Sequence, residues 1–173
     1  MPMEARNTTR ELQVLLDKQA ITELLHRYCR AVDRIDPELG YTIWHHDAVA
    51  DYGAIFQGTG RGVIDFICNA HRQGIVHSHQ ITTVTIELDD DRASSEAYVT
   101  SRAVLRNGDQ LLQVATRGRY LDRWSRREGR WGIEKRYFAG DINEVRPITL
   151  GPLPPRFRLD REDPSYALFA GTL

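Results

Sequence analysis

The sequence predicts an α+β protein in which helices come first and then cover one face of a curved antiparallel sheet. Three observations lead there. Ile21, Leu25, Tyr28 and Val32 recur at helical spacing and mark one apolar stripe. From Val76 onward the chain becomes dense in β-branched residues, with runs of strand length separated by polar turns. Asn107-Gly108 between two such runs is the strongest short hairpin signal in the chain.

Taken in order, Thr8-Thr9-Arg10-Glu11 fits a capping box and predicts the start of the first helix, with room for a break near Asp17-Lys18. Asp36-Pro37-Glu38 reads as the cap, first-turn proline and first-turn acid of a second helix ending near Trp44. The first helix must therefore stop around Asp33 to Ile35. Asp33 is then a carboxylate at the negative end of a helix dipole, an unfavourable place unless it holds a cation or an N–H. A short strand follows over Ala48 to Tyr52. Val63, Phe66, Ile67 and Ala70 predict a third helix ending near Gly74.

Four strands come next: Val76 to Leu88, closed by Asp89-Asp90-Asp91; Arg92 to Leu105; Gln110 to about Trp124; and Trp131 to Ala139 or beyond, after a turn at Ser125 to Arg130. The boundary of the folded unit is placed at residue 145. Residues 146–173, with Pro147, Pro152, Pro154 and Pro155, read as an extended tail whose Phe157, Leu159, Tyr166, Leu168 and Phe169 dock on the domain or on a neighbouring subunit.

The totals exclude several classes. A chain of 173 residues holds one domain with a substantial core. With 41% apolar residues, 27% charged and a net charge of −1, it has neither the composition of a disordered chain nor the field of a nucleic-acid binder. The arginines from Arg117 to Arg130 are interspersed with Asp122 and Glu128, as on a solvated sheet face. Cys29 and Cys68 lie in apolar helical stretches, as buried free thiols do. There is no run of 18 apolar residues, and Met1-Pro2-Met3-Glu4 does not begin a signal peptide, so a cytoplasmic, membrane-free protein is expected.

The chemistry concentrates at the start of the first long strand. His77 and His79 alternate and so share a sheet face. A strand holds a side chain rigidly, which suits His79 as a general base, although two histidines at a frayed sheet end would look the same. A metal site built from His77, His79 and the His45-His46-Asp47 group has weak ligand spacing, and no metal is expected. His26, His45, His46 and His71 read as surface or packed histidines, and Trp44, Trp124 and Trp131 as core. Tyr41, Tyr52, Phe56 and Phe66 are candidates to line an apolar pocket.

The helix Ile21-Thr22-Glu23-Leu24-Leu25-His26-Arg27-Tyr28-Cys29-Arg30-Ala31-Val32-Asp33 resembles the SnoaL-like branch of the nuclear transport factor 2-like superfamily. So do Asp47-Ala48-Val49, Ser78-His79, Asp91-Arg92-Ala93 and Gly129-Arg130-Trp131-Gly132-Ile133. The resemblance covers roughly residues 10–145. It implies a cone-shaped barrel in which a curved antiparallel sheet and three N-terminal helices enclose one deep pocket. That branch includes bile-acid 7α-dehydratase, scytalone dehydratase and hexachlorocyclohexane dehydrochlorinase. The bile-acid dehydratase pattern of Tyr, Asp, strand His and late Arg falls here on Tyr28, Asp33, His79 and Arg136. The dehydrochlorinase has lysine where Tyr28 stands, which makes chloride loss the less fitting chemistry. Many relatives have threonine before the strand histidine and asparagine four positions after it; Ser78 and Thr83 stand there in this chain.

The resemblance thus implies a cofactor-independent lyase, most simply a dehydratase, acting on a hydrophobic ring compound such as a steroid, polyketide or aromatic. His79 would be the base, Asp33 its prop, Tyr28 a donor to substrate oxygen and Arg136 a stabiliser of developing charge. His77, Thr83, Tyr52, Phe56 and Phe66 would contact the substrate. Two alternatives are a ketosteroid-type isomerase and a non-catalytic binding or assembly subunit, such as the β-type partner of ring-hydroxylating dioxygenases. A homotrimer or homodimer is implied by the relatives.

Overall fold

A computed structural model describes residues 3–172 of the chain. Its elements run α1 (Met3–Asp33), α2 (Pro37–Tyr41), β1 (Trp44–Asp51), β2 (Gln57–Thr59), α3 (Gly60–Gln73), β3 (Val76–Asp89), β4 (Arg92–Asn107), β5 (Gln110–Arg127), β6 (Arg130–Ile148) and α4 (Pro164–Phe169). The class is α+β, with three helices ahead of a four-stranded antiparallel meander. The sheet has six strands in the order β2-β1-β6-β5-β4-β3, and it is curved but not closed. The expected barrel is therefore an open sheet with β2 and β3 as its edges. The sixth-strand side is completed by β1, which runs parallel to β6 and was invisible to a reading based on hairpins.

α1 is continuous. Thr8 lies inside it rather than at its start, and no break occurs at Asp17-Lys18. Asp17 is instead an anchor: its carboxylate accepts from Trp131 Nε1 at 2.9 Å and from Arg126 at 2.7 Å, tying α1 to the β5–β6 hairpin. Ile21, Leu25, Tyr28 and Val32 are each 0% exposed, so the predicted stripe is the buried face. α2 is shorter than expected, because Trp44 and both following histidines already belong to β1. In α3 the buried residues are Val63, Ile64 and Cys68, with Ile67 half-buried against the same core. Phe66 and Ala70 face solvent, which turns the buried face of α3 from the predicted stripe toward Ile64 and Cys68.

Turn chemistry sets the meander. β5 runs on to Arg127, and the turn is Glu128-Gly129, both at positive φ as a two-residue type I′ hairpin requires. In the β4–β5 hairpin Asn107 pairs with Gln110, leaving Gly108-Asp109 as the loop. Within β3 the pairing shifts between Ile81 and Val84, so that Thr82 and Thr83 oppose the single residue Tyr98. Such a bulge reverses the alternation. His77, His79 and Ile81 before it, and Val84, Ile86 and Leu88 after it, are the positions withdrawn from solvent along one strand.

β6 continues to Ile148, and Pro147 still faces Leu112, three residues past the expected boundary. The tail is not wholly extended. Asp163 caps α4 by accepting from Ser165 N at 3.0 Å, and α4 lies against the C-terminal end of α1. Arg30 sits 4.6 Å from the Tyr166 ring centre and 4.9 Å from that of Phe169, Arg34 pairs with Asp163 at 3.3 Å, and Arg161 and Tyr166 both reach Asp36.

Candidate active site

Two clusters of polar side chains lie on the concave architecture between α1 and the sheet. The first is built where α1 ends against β3. Asp33, the last residue of α1, accepts from His79 Nδ1 at 2.7 Å with one carboxylate oxygen and from the His79 backbone N–H at 2.9 Å with the other. The carboxylate at a helix C-terminus thus has a cationic or N–H partner, as its awkward position demands. Ionised carboxylate only accepts, so Nδ1 carries the proton and Nε2 keeps its lone pair. The side chains are 11% and 16% exposed, sheltered yet within reach of a ligand.

His77 and His71 complete this cluster. His77 Nε2 lies 3.2 Å from the backbone oxygen of Asp33, and His71 Nδ1 lies 2.9 Å from that of Val32. Their rings stack with centres 3.8 Å apart, and His71 also lies 5.4 Å from the His79 ring. Burial, then repulsion from His77, lowers the His71 pKa to about 4, and burial lowers that of His77. His77 was expected to touch substrate, but at 5% exposed with Nε2 on the helix end it serves α1 instead. His71, read as a surface or packed histidine, is packed, against the end of α1 and the His77 ring beside the Asp33–His79 pair. Its position, three residues after Cys68 and seven after Ile64, is on the buried face of α3 and was the available signal.

The second cluster surrounds Arg136, which is fully buried. Its guanidinium grips Asp122 through two contacts of 2.7 Å and lies 4.4 Å from the ring centre of Tyr28 and 3.9 Å from that of Tyr120. Desolvation is the largest influence on Arg136 and opposes its charge, but the attraction and hydrogen bonds of Asp122 together with Tyr52 and Tyr28 hold the guanidinium well above the usual arginine range. Asp122, placed by the sequence on a solvated face, is 3% exposed and was the missed partner. Tyr28 Oη meets Tyr52 Oη at 2.9 Å, and burial followed by the neighbouring tyrosines raises its pKa well above the ordinary value. The Tyr28 hydroxyl thus keeps its proton and can donate it in a hydrogen bond. Arg136 Nη1 is buried without a protein partner.

The four predicted catalytic residues therefore fall as two pairs, Asp33 with His79 and Tyr28 with Arg136. The pairs are linked by α1, whose five-residue separation between Tyr28 and Asp33 is a rise of roughly 7.5 Å. Between them, the Cys29 thiol is raised to about 12 by burial, with Asp33 adding and Arg136 opposing, so it feels both poles. Tyr52 joins the second pair and stacks on Phe138 at 5.5 Å. Phe66 is 41% exposed and packs on Phe56, 5.4 Å between ring centres, away from both pairs. Thr83 is exposed in the bulge, which removes it from the face that carries His79. Five surface grooves of about 320–520 Å³ are lined by other residues than His79 and Asp33. Among the described residues no group of three or more His, Cys, Asp or Glu side chains is disposed to hold a metal, and no helix is long and apolar enough to cross a membrane.

The whole is a small α+β fold, an open sheet with helices ahead of it and an acid–histidine pair where the end of α1 meets β3. Residues 13–137 match the SnoaL-like domain, and the chain belongs to that family. No curated protein sequence matches it. Among solved structures it is similar to a type 3 hexachlorocyclohexane dehydrochlorinase from Novosphingobium barchaimii (23% identity, TM-score 0.69, 84% of this chain and 99% of that one). It is also similar to a protein described as a scytalone dehydratase from Novosphingobium aromaticivorans (18%, TM-score 0.67, 83% and 97%). A nuclear transport factor 2-like superfamily protein from Salmonella enterica serovar Typhimurium is a third (22%, TM-score 0.62, 72% and 91%). At these identities the likeness speaks to the fold.

Proposed function

We propose that the chain is a cofactor-independent lyase, a dehydratase of hydrophobic ring compounds carrying a hydroxyl next to an acidic C–H. The observation that carries this is the His79–Asp33 contact of 2.7 Å, which leaves Nε2 as a free lone pair at a sheltered position. His79 Nε2 takes the proton from carbon, the C–H electron pair becomes the new double bond, and the hydroxyl departs as water on taking a proton back from the imidazolium. Asp33 fixes the tautomer and stabilises the imidazolium while staying ionised. At the other pole, the unpartnered Nη1 of Arg136 and the Tyr28–Tyr52 hydroxyl pair are donors for a carbonyl or enolate oxygen. Because Asp122 offsets its charge, Arg136 acts there as an oriented N–H and not as a net cation.

The test is a panel of β-hydroxy ketones of steroid, polyketide and aromatic type, followed by the ultraviolet absorption of the conjugated product. The expected result is turnover by the unsubstituted protein and a loss of about 10²–10⁴-fold in His79→Ala. An unchanged rate in that variant would sink the reading, whereas ring-compound binding without turnover in either protein would favour a binding subunit.

A homo-oligomer is part of the same reading. Leu12, Leu15 and Leu16 on α1 and Phe169 on α4 are 53–75% exposed, apolar side chains that a neighbouring subunit would cover. Sedimentation velocity should give a dimer or trimer mass, and a monomer at micromolar concentration refutes it.

A further inference from the structure

We infer that the stacked pair His71 and His77 is a clamp that positions Asp33, and through it the base His79. The proposal rests on the lyase reading only for its effect on turnover. α1 ends at Asp33, and the last carbonyls of any helix lack intrahelical donors. Here the two carbonyls nearest the carboxylate are taken by imidazoles from two different elements. His71 of α3 reaches Val32 O at 2.9 Å and His77 of β3 reaches Asp33 O at 3.2 Å. A carbonyl can only accept, so the contacts assign Nδ1–H to His71 and Nε2–H to His77. The ring stack at 3.8 Å and 19° then locks α3, β3 and the end of α1 into one unit.

His77 Nδ1 is buried and has no partner. An unsatisfied buried acceptor is costly, a cost the ring bears while its opposite nitrogen and its face are both in use. Both are in use here. Asp33 takes part in this arrangement only through its carbonyl, which accepts from His77, and both its carboxylate oxygens accept from His79. The two histidines touch no reacting atom in the proposed chemistry; they are positioning residues.

The test uses the full chain labelled with ¹⁵N in its imidazoles. In the unsubstituted protein near pH 7.5, two-bond proton–nitrogen correlations should report His71 as the Nδ1–H tautomer and His77 as Nε2–H; either in the opposite form overturns the inference. His71→Phe and His77→Phe keep a stacking ring and remove the donor. Each should speed solvent exchange of the His79 Nδ1 proton at least tenfold. His71→Asn and His77→Gln place an amide N–H where Nδ1 and Nε2 stood, and should hold that exchange within about threefold. If the phenylalanine variants fold by near-ultraviolet circular dichroism and leave the His79 proton unchanged within twofold, the clamp is refuted. If they fail to fold, the tautomer measurement decides. None of these readouts involves turnover, so the clamp can fail while the lyase reading stands, and the reverse.

Discussion

Breaking the buried Arg136–Asp122 pair from one side leaves a lone carboxylate in the core, where both side chains are 0% exposed. Arg136→Met is expected to cost about 3–5 kcal/mol in urea unfolding, while the double change Arg136→Met with Asp122→Leu recovers most of it. If the double variant is no better than the single one, the pair is not the dominant interaction at that site. The clamp histidines give a pH prediction. A depressed folded-state pKa means that the unfolded chain binds more protons, so stability falls as pH falls. For His71 the window runs from its ordinary 6.5 down to about 4, and the loss there is at most roughly 3 kcal/mol. Urea midpoints should be flat above pH 7, decline through that window, and decline less in His71→Asn. At this scale Asp33 stood out because a carboxylate at a helix C-terminus is awkward, and His79 because it shares a face with His77 on a rigid strand; the structure brings the two into contact. Asp122 gave no such sign, since its burial depends on lying directly across from Arg136 on β6, a register that local pattern does not record.

Among the elements, the tail helix α4 and the α1–α2 corner depend on one carboxylate. Asp36 caps α2 by accepting from Leu39 N at 3.2 Å, and it also takes Arg161 at 2.8 Å and Tyr166 at 2.8 Å. Burial works against its charge, but the Arg161 and Tyr166 hydrogen bonds prevail and leave its pKa below the ordinary value. Asp36→Ala should cost about 1–2 kcal/mol in the full chain and only the capping share, near 1 kcal/mol, once residues 156–173 are deleted. Equal costs in the two backgrounds would mean that the tail is not coupled to this corner. The cap was legible because Asp-Pro-Glu is a local signal. The phase of α3 was not, because Val63 and Ile67 fit either stripe and only packing against the rest of the core selects Ile64 and Cys68 over Phe66 and Ala70. The bulge at Thr82-Thr83 was hidden likewise, since β-branched residues fill both faces of β3.

For the molecule as a whole, the order of helices and then a meander was readable from periodicity and turn residues, and the cone-like type from a handful of motifs. What escaped was long-range: β1 beside β6, the open edges, and the meeting of α3 with β3 at the site. These pairings join segments far apart in the chain, and loop closure rather than local preference governs them. That separation also orders events during synthesis. Asp33, His71, His77 and His79 belong to the first half of the chain, so that cluster can come together while β5 is still being made. Tyr28 and Tyr52 must wait for Arg136, and β1 must wait for the same late strand to find its neighbour. A nascent chain stalled before β6 would hold the residues of the Asp33–His79 contact, yet lack Arg136 and leave β1 without its parallel neighbour, an unpaired edge open to association with other chains.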